Sequence, residues 1–93
     1  MAKRAAEVWF VYILRCADGT LYTGITTDLP RRIAEHNERK LGAKYTATRR
    51  PVKLVYSRKF ATRSSASKAE ARIKKLKKIE KSELIKNLRA MNK

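Results

Sequence analysis

The stretch VYILRCADGTLYTGI, residues 11–25, decides the fold. Its first arm ends an unbroken apolar run, Val8-Trp9-Phe10-Val11-Tyr12-Ile13-Leu14, rich in β-branched and aromatic residues. A strand covered on both faces has this pattern, so the run is expected to be the central strand of a sheet. Ala17-Asp18-Gly19 carries turn chemistry, and Leu21 to Thr26 supplies an antiparallel partner.

Loop length decides where Tyr12 and Tyr22 point, because side chains alternate faces and a one-residue change flips one strand against the other. A two-residue Asp18-Gly19 loop pairs Tyr12 with Ile25 and sets the tyrosines on opposite faces. A three-residue Ala17-Asp18-Gly19 loop pairs Tyr12 with Gly24 and Leu14 with Tyr22, and both tyrosines share one face. Gly24 then leaves open space opposite the Tyr12 ring, suited to a substrate approaching the backbone. On the competing reading Gly24 marks a plain bulge, and the tyrosines are amphipathic packers with their hydroxyls in water.

Beyond the hairpin, Asp28 is a helix cap, Pro30 is tolerated in the first turn, and Gly42 suits a left-handed stop. The helix is expected to end near Leu41-Gly42. Leu29 and Ile33 define its buried face, and Arg32 and His36 fall within roughly 60° of Leu29 at about 100° per residue. Four apart, they lie side by side on one surface directed near the sheet. Read blandly, Arg32 beside Arg31 is a snorkelling surface cation and His36 a packed ring.

Residues 43–51, AKYTATRRP, read as a basic loop closed by a proline. From 52 to 60, Val52, Leu54, Tyr56 and Phe60 alternate with Lys53, Ser57 and Lys59, giving a half-buried strand. Ser and Thr cluster at 62–67, where Ser64 or Ser65 can cap a helix with the stripe Ala66, Ala69, Ile73 and Leu76. A last helix is expected at about 81–91, with Leu84, Ile85, Leu88 and Met91 at helical spacing. The order is ββαβαα. Glu70 sits about 80° from the centre of its stripe, at the rim of the buried face. Ser67-Lys68-Ala69-Glu70 also matches a capping box, in which Glu70 would only secure a helix start. A carboxylate at the edge of so basic a surface can instead hold a divalent cation.

The chain has 93 residues, enough for one small domain, with 24 Lys+Arg against 8 Asp+Glu. Residues 1–30 hold three basic and three acidic side chains, so the net +16 lies entirely after the hairpin. Such a field favours a polyanion, with binding that weakens steeply in salt. A lysine-rich solvated surface is the plainer reading. No apolar run approaches the roughly 18 residues needed to span a bilayer, and MAKRAAE lacks the pattern of a signal peptide. The single cysteine, Cys16, forms no internal disulfide and reads as a small core residue in a reduced compartment, so the expected location is cytoplasmic.

Phe10-Val11-Tyr12, Tyr22-Thr23-Gly24, Arg32, His36 and Glu70 together resemble the GIY-YIG nuclease superfamily. The likeness is greatest to its small stand-alone bacterial members, where a hairpin, TDLPRRIAEHN, GAKYT, RRPVKLVY and EARIKKLKK follow in this order. More distant relatives are the nuclease domain of the bacterial excision-repair incision subunit and intron homing endonucleases. Phe10 replaces the first glycine of the namesake pattern and Thr23 the middle residue of its second motif. Neither position supplies a functional group. An asparagine near the end of many nuclease members has no assigned counterpart, although Asn87 lies on the last helix.

The resemblance implies an α+β fold, a three-stranded antiparallel sheet flanked by helices. It also implies hydrolysis of a phosphodiester with one divalent metal, Mg²⁺ or Mn²⁺. On that basis Tyr12 takes a proton from the attacking water or orients it, and Tyr22 helps place the water or phosphate. Arg32 stabilises charge on the phosphoryl oxygens, His36 assists proton transfer or phosphate binding, and Glu70 is the metal ligand. Gly24, Arg31, Lys44, Tyr45, Arg49, Arg50 and Lys74 are the candidates to grip nucleic acid, with DNA favoured over RNA. The expected activity is an endonuclease with structure-directed or weakly specific DNA binding, linked to DNA repair or recombination; the sequence leaves the oligomeric state open, with a monomer as the default. Its rivals are a catalytically lapsed DNA- or RNA-binding module of the same fold and a docking domain for an acidic protein.

Overall fold

The structure is a computed structural model that describes residues 8–38 and 44–91, without the side chains of residues 44, 45 and 89–91. Its sheet comprises β1 (Trp9–Arg15), β2 (Leu21–Thr26) and β3 (Lys53–Phe60), in the antiparallel order β2-β1-β3. The apolar run is therefore the middle strand. Val11, Tyr12, Ile13 and Leu14 are each at most 1 % exposed, which requires cover on both faces. Val11 and Ile13 pack with Tyr56 against Ala66, Ala69, Ile73 and Ile85 of the later helices. Tyr12, Leu14 and Cys16 face the other way, where Val52, Tyr22, Leu29 and Ile33 close over them.

The three-residue loop is the one formed. Arg15 lies opposite Leu21, the Cys16 N–H donates to the Thr20 carbonyl at 2.9 Å, and Gly19 has φ 85°, the left-handed conformation that favours glycine. The Asp18 carboxylate accepts from the Thr20 hydroxyl at 2.6 Å and its N–H at 3.1 Å, which holds its pKa below the ordinary value. Tyr12 accordingly pairs with Gly24 and Leu14 with Tyr22.

Helix α1 (Leu29–His36) starts where expected, with the Asp28 carboxylate accepting from the Arg31 N–H at 3.1 Å and a proline in the first turn. It ends well before Leu41; Gly42, the expected stop, lies outside the described residues. Asn37 caps the end, and its side-chain amide pairs with both backbone groups of Val52 (2.8 Å and 3.3 Å), tying the helix to the start of β3. The expected basic loop contains one helical turn, α2 (Lys44–Ala47).

In β3 the simple alternation fails at Leu54, which is 39 % exposed. Ile13 pairs with Tyr56 but Leu14 with Leu54, so Val55 is the extra residue of a bulge. Val52 and Tyr56 consequently serve opposite faces of the sheet. Helix α3 (Arg63–Lys74) is capped by Thr62, whose hydroxyl accepts from the Ser65 N–H at 3.1 Å, and not by Ser64 or Ser65. Ser67 lies inside the helix, so the capping-box reading of Ser67 and Glu70 does not hold. Helix α4 (Lys78–Met91) begins three residues earlier than expected and packs Leu84, Ile85 and Leu88 on the core. The order ββαβαα stands, with α2 as a single added turn before β3. Among the described residues no helix is long and apolar enough to cross a membrane.

Candidate active site

The register that pairs Tyr12 with Gly24 places both motif tyrosines on the sheet face covered by α1. Their ring centroids are 6.4 Å apart, and the His36 ring lies 5.9 Å from Tyr12 and 4.9 Å from Tyr22. His36 is fully buried at the last turn of α1. Its Nε2 is 2.9 Å from the Tyr12 hydroxyl, and its Nδ1 is 2.9 Å from the hydroxyl of Thr46 on α2.

Arg32, one turn earlier on α1, donates to Glu35 Oε1 at 2.8 Å and lies within hydrogen-bonding reach of the Tyr12 oxygen. Burial works against its charge, but Glu35 and Tyr12 outweigh that and raise its pKa. Tyr12 is pushed up to about 12, chiefly by burial, with the Arg32 hydrogen bond opposing. The phenol is therefore protonated at neutral pH. Burial, reinforced by the positive charge of Arg32, lowers His36 to about 4, so the imidazole is neutral.

Glu70 stands on α3, and its negative charge is one of the influences that raise the Tyr12 pKa. It pairs with Lys74 at 3.3 Å, one turn along the same helix. Among the described residues no three carboxylate, imidazole or thiol groups come together as an ion cage. A lone, partly exposed carboxylate fits Mg²⁺ or Mn²⁺, which keep several waters and complete their shell with phosphate oxygens. Tyr22, Arg32 and Glu70 are each partly exposed, whereas Tyr12 and His36 are buried.

Gly24 differs from its expected use. A Cβ there would come within 2.5 Å of the Tyr12 hydroxyl oxygen, so the room left by the missing side chain is filled by the Tyr12 ring. Gly24 is buried and sets the position of that ring.

The basic candidates are engaged in different ways. Arg31 is exposed, 3.8 Å from Glu35 and 4.0 Å from Asp28, and Lys74 bridges Glu70. Arg49 bonds Asp18 across the hairpin loop at 3.1 Å. Arg50 donates to the His36 carbonyl at 2.8 Å and to that of Glu38, holding the end of α1. The side chains of Lys44 and Tyr45 lie outside the described residues. Sequence reasoning missed Thr46 and Glu35. Glu35, three residues after Arg32, carries a readable pairing signal, whereas nothing in the spacing marks Thr46.

Residues 8–83 match the model of the GIY-YIG catalytic domain. The chain belongs to the GIY-YIG family. Among its relatives, the UPF0213 protein DP2720 of Desulfotalea psychrophila is 59 % identical over 78 residues, covering 84 % of this chain and 71 % of that one. A UPF0213 protein of Syntrophus aciditrophicus is 53 % identical, with 83 % and 88 % covered. Two solution NMR structures are similar to this GIY-YIG chain. Protein EF2693 from E. faecalis has a TM-score of 0.62 at 46 % identity, covering 89 % of this chain and 88 % of its own. The UPF0213 protein BH0048 from Bacillus halodurans has a TM-score of 0.55 at 43 % identity, with 85 % and 83 % covered.

Proposed function

We propose that this GIY-YIG protein is a metal-dependent endonuclease that hydrolyses phosphodiester bonds in DNA, acting on branched or interrupted structures of the kind met in repair and recombination. The observation that supports the reading is the meeting of the Tyr12, Tyr22 and His36 rings on one sheet face, with Arg32 and Glu70 acting electrostatically on Tyr12. Membership of a nuclease family favours DNA over RNA. The +16 charge favours a polyanion of either kind. The work is assigned to the cytoplasm, in keeping with the single buried, unpaired Cys16.

On this reading Arg32 turns from Glu35 and the Tyr12 oxygen onto the phosphoryl oxygens, where its fixed fork stabilises developing charge. Its departure uncovers the Tyr12 oxygen for a water that Tyr22 helps to place. Water oxygen bonds to phosphorus as the ester P–O bond breaks. The water proton passes to Tyr12 while the phenol proton moves to Nε2 of His36. The leaving oxygen takes a proton from solvent, to which His36 later returns its own. Glu70, with water and phosphate oxygens, would hold the divalent ion, which supplies Lewis-acid stabilisation at the leaving oxygen when bound. Exposed Arg31 is a candidate to hold the flanking backbone, together with Lys44, Tyr45, Arg49, Arg50 and Lys74.

A panel of branched, nicked and single-stranded DNAs with Mg²⁺ or Mn²⁺ tests the proposal. Cleavage is expected from the wild-type protein and not from folded Arg32→Ala or Glu70→Ala. No cleavage by wild type, with salt-sensitive binding that survives both substitutions, would instead identify a nucleic-acid-binding module whose activity has lapsed.

A further inference from the structure

Thr46 has no part in that chemistry, yet it bonds the buried nitrogen of the one histidine in the chain. The hydrogen positions around it follow from donor and acceptor capacity. Tyr12 is buried and protonated, and its oxygen meets the Arg32 guanidinium and Nε2 of His36, the latter at 2.9 Å. A guanidinium has donors only, so it cannot receive the phenol hydrogen. That hydrogen therefore points at Nε2. A neutral imidazole with Nε2 accepting carries its own hydrogen on Nδ1, which faces the Thr46 oxygen at 2.9 Å. His36 and Thr46 are both fully buried, so the orientation is set by protein groups.

We propose that Thr46 is a positioning residue: by accepting the Nδ1 hydrogen it keeps Nε2 of His36 as an acceptor, turning the Tyr12 hydrogen inward and a Tyr12 lone pair toward Arg32 and the substrate. Only the catalytic consequence rests on the nuclease reading; the tautomer is a property of the folded chain. Without the Thr46 oxygen a buried Nδ1–H has no acceptor among the described residues, and the ring hydrogen moves to Nε2. Tyr12 then receives hydrogen bonds from both His36 and Arg32, and its own hydrogen, instead of a lone pair, turns toward the attacking water. Side chains that fix a catalytic imidazole from behind act in this way in metal sites and hydrolytic triads.

The test is the ring ¹⁵N spectrum of His36, unambiguous because the chain has one histidine. Wild type and Thr46→Ser are expected to show protonated Nδ1 and bare Nε2, while Thr46→Val shows the hydrogen on Nε2 or shared. In cleavage assays Thr46→Val should lose about 10- to 100-fold in kcat at unchanged KM, with Thr46→Ser restoring the rate. Thr46→Ala repeats both measurements should the valine variant fail to fold. A wild-type ring protonated at Nε2, or a hydroxyl-free variant that keeps the wild-type spectrum, overturns the proposal. If wild type cuts no DNA, the nuclease reading falls and the ring spectra still decide the role of Thr46.

Discussion

The Tyr12 ring lies across Gly24 on the neighbouring strand, its hydroxyl oxygen 2.5 Å and its Cζ 2.7 Å from where a Cβ of residue 24 would stand. The phenol reaches His36 because residue 24 has no side chain.

Gly24→Ala is therefore expected to displace the Tyr12 ring, which is buried and cannot swing clear as a flexible surface chain would. Overpacking of this kind costs about 1–3 kcal/mol. Urea unfolding should register that loss, and NMR should show the Tyr12–His36 hydrogen bond broken. An alanine variant with wild-type stability and an unchanged His36 spectrum would contradict the packing described.

His36 makes stability depend on pH with a definite sign. Its pKa in the folded chain is about 4, against 6.5 for an ordinary histidine, so the unfolded chain binds the extra proton between those values. Stability is complete above the unfolded pKa and is lost as pH falls from about 6.5 to about 4, by roughly 3 kcal/mol. The groups acting on the ring are Arg32 and Glu35 on α1 and Arg50 before β3, with Tyr12 edge-on and Tyr22 tilted against it from the sheet. An NMR titration should place the His36 midpoint near 4; a midpoint near 6.5 would refute the burial.

The parts legible in the sequence were those written in periodicity and turn chemistry. The Val8 to Leu14 run announced a doubly covered strand, Asp28 a helix start, and Gly19 one of two registers, between which spacing alone did not choose. What escaped depends on contacts distant in sequence. Helix α1 stops at His36 because the Asn37 side chain captures Val52, fifteen residues away. Leu54 is exposed because of a bulge fixed by pairing with β1. Thr46 joins the site only because α2 folds back on His36, ten residues earlier. The candidate site residues Tyr12, Tyr22, Arg32, His36 and Glu70 rest on family likeness joined to helical and strand geometry, since each alone has an ordinary packing explanation.

Thr23, on the strand between the two motif positions Tyr22 and Gly24, is 3 % exposed, and its hydroxyl finds no hydrogen-bond partner among the described residues. A buried unpaired hydroxyl costs about 1–3 kcal/mol, and valine keeps the shape without it. Thr23→Val is expected to stabilise the protein by about 1 kcal/mol and leave cleavage unchanged. Thermal and urea unfolding measure the gain, and a destabilised variant would reveal a partner for the hydroxyl.

Glu70→Gln separates the proposed metal role of this carboxylate from any part it has in the fold. The carboxylate is partly exposed and its link to Lys74 is an i,i+4 surface bridge, so stability should change by less than about 1 kcal/mol. Glutamine keeps the size but forfeits the charge a hard cation needs. Metal-dependent cleavage should therefore vanish while DNA binding without metal stays the same or tightens slightly, because one negative charge has left a basic surface. The salt dependence of binding should not change, since no phosphate contact is lost. Titrating DNA in EDTA beside the cleavage assay tells the outcomes apart: retained cleavage would remove Glu70 from the metal site, and lost binding would make it part of the DNA-gripping surface instead.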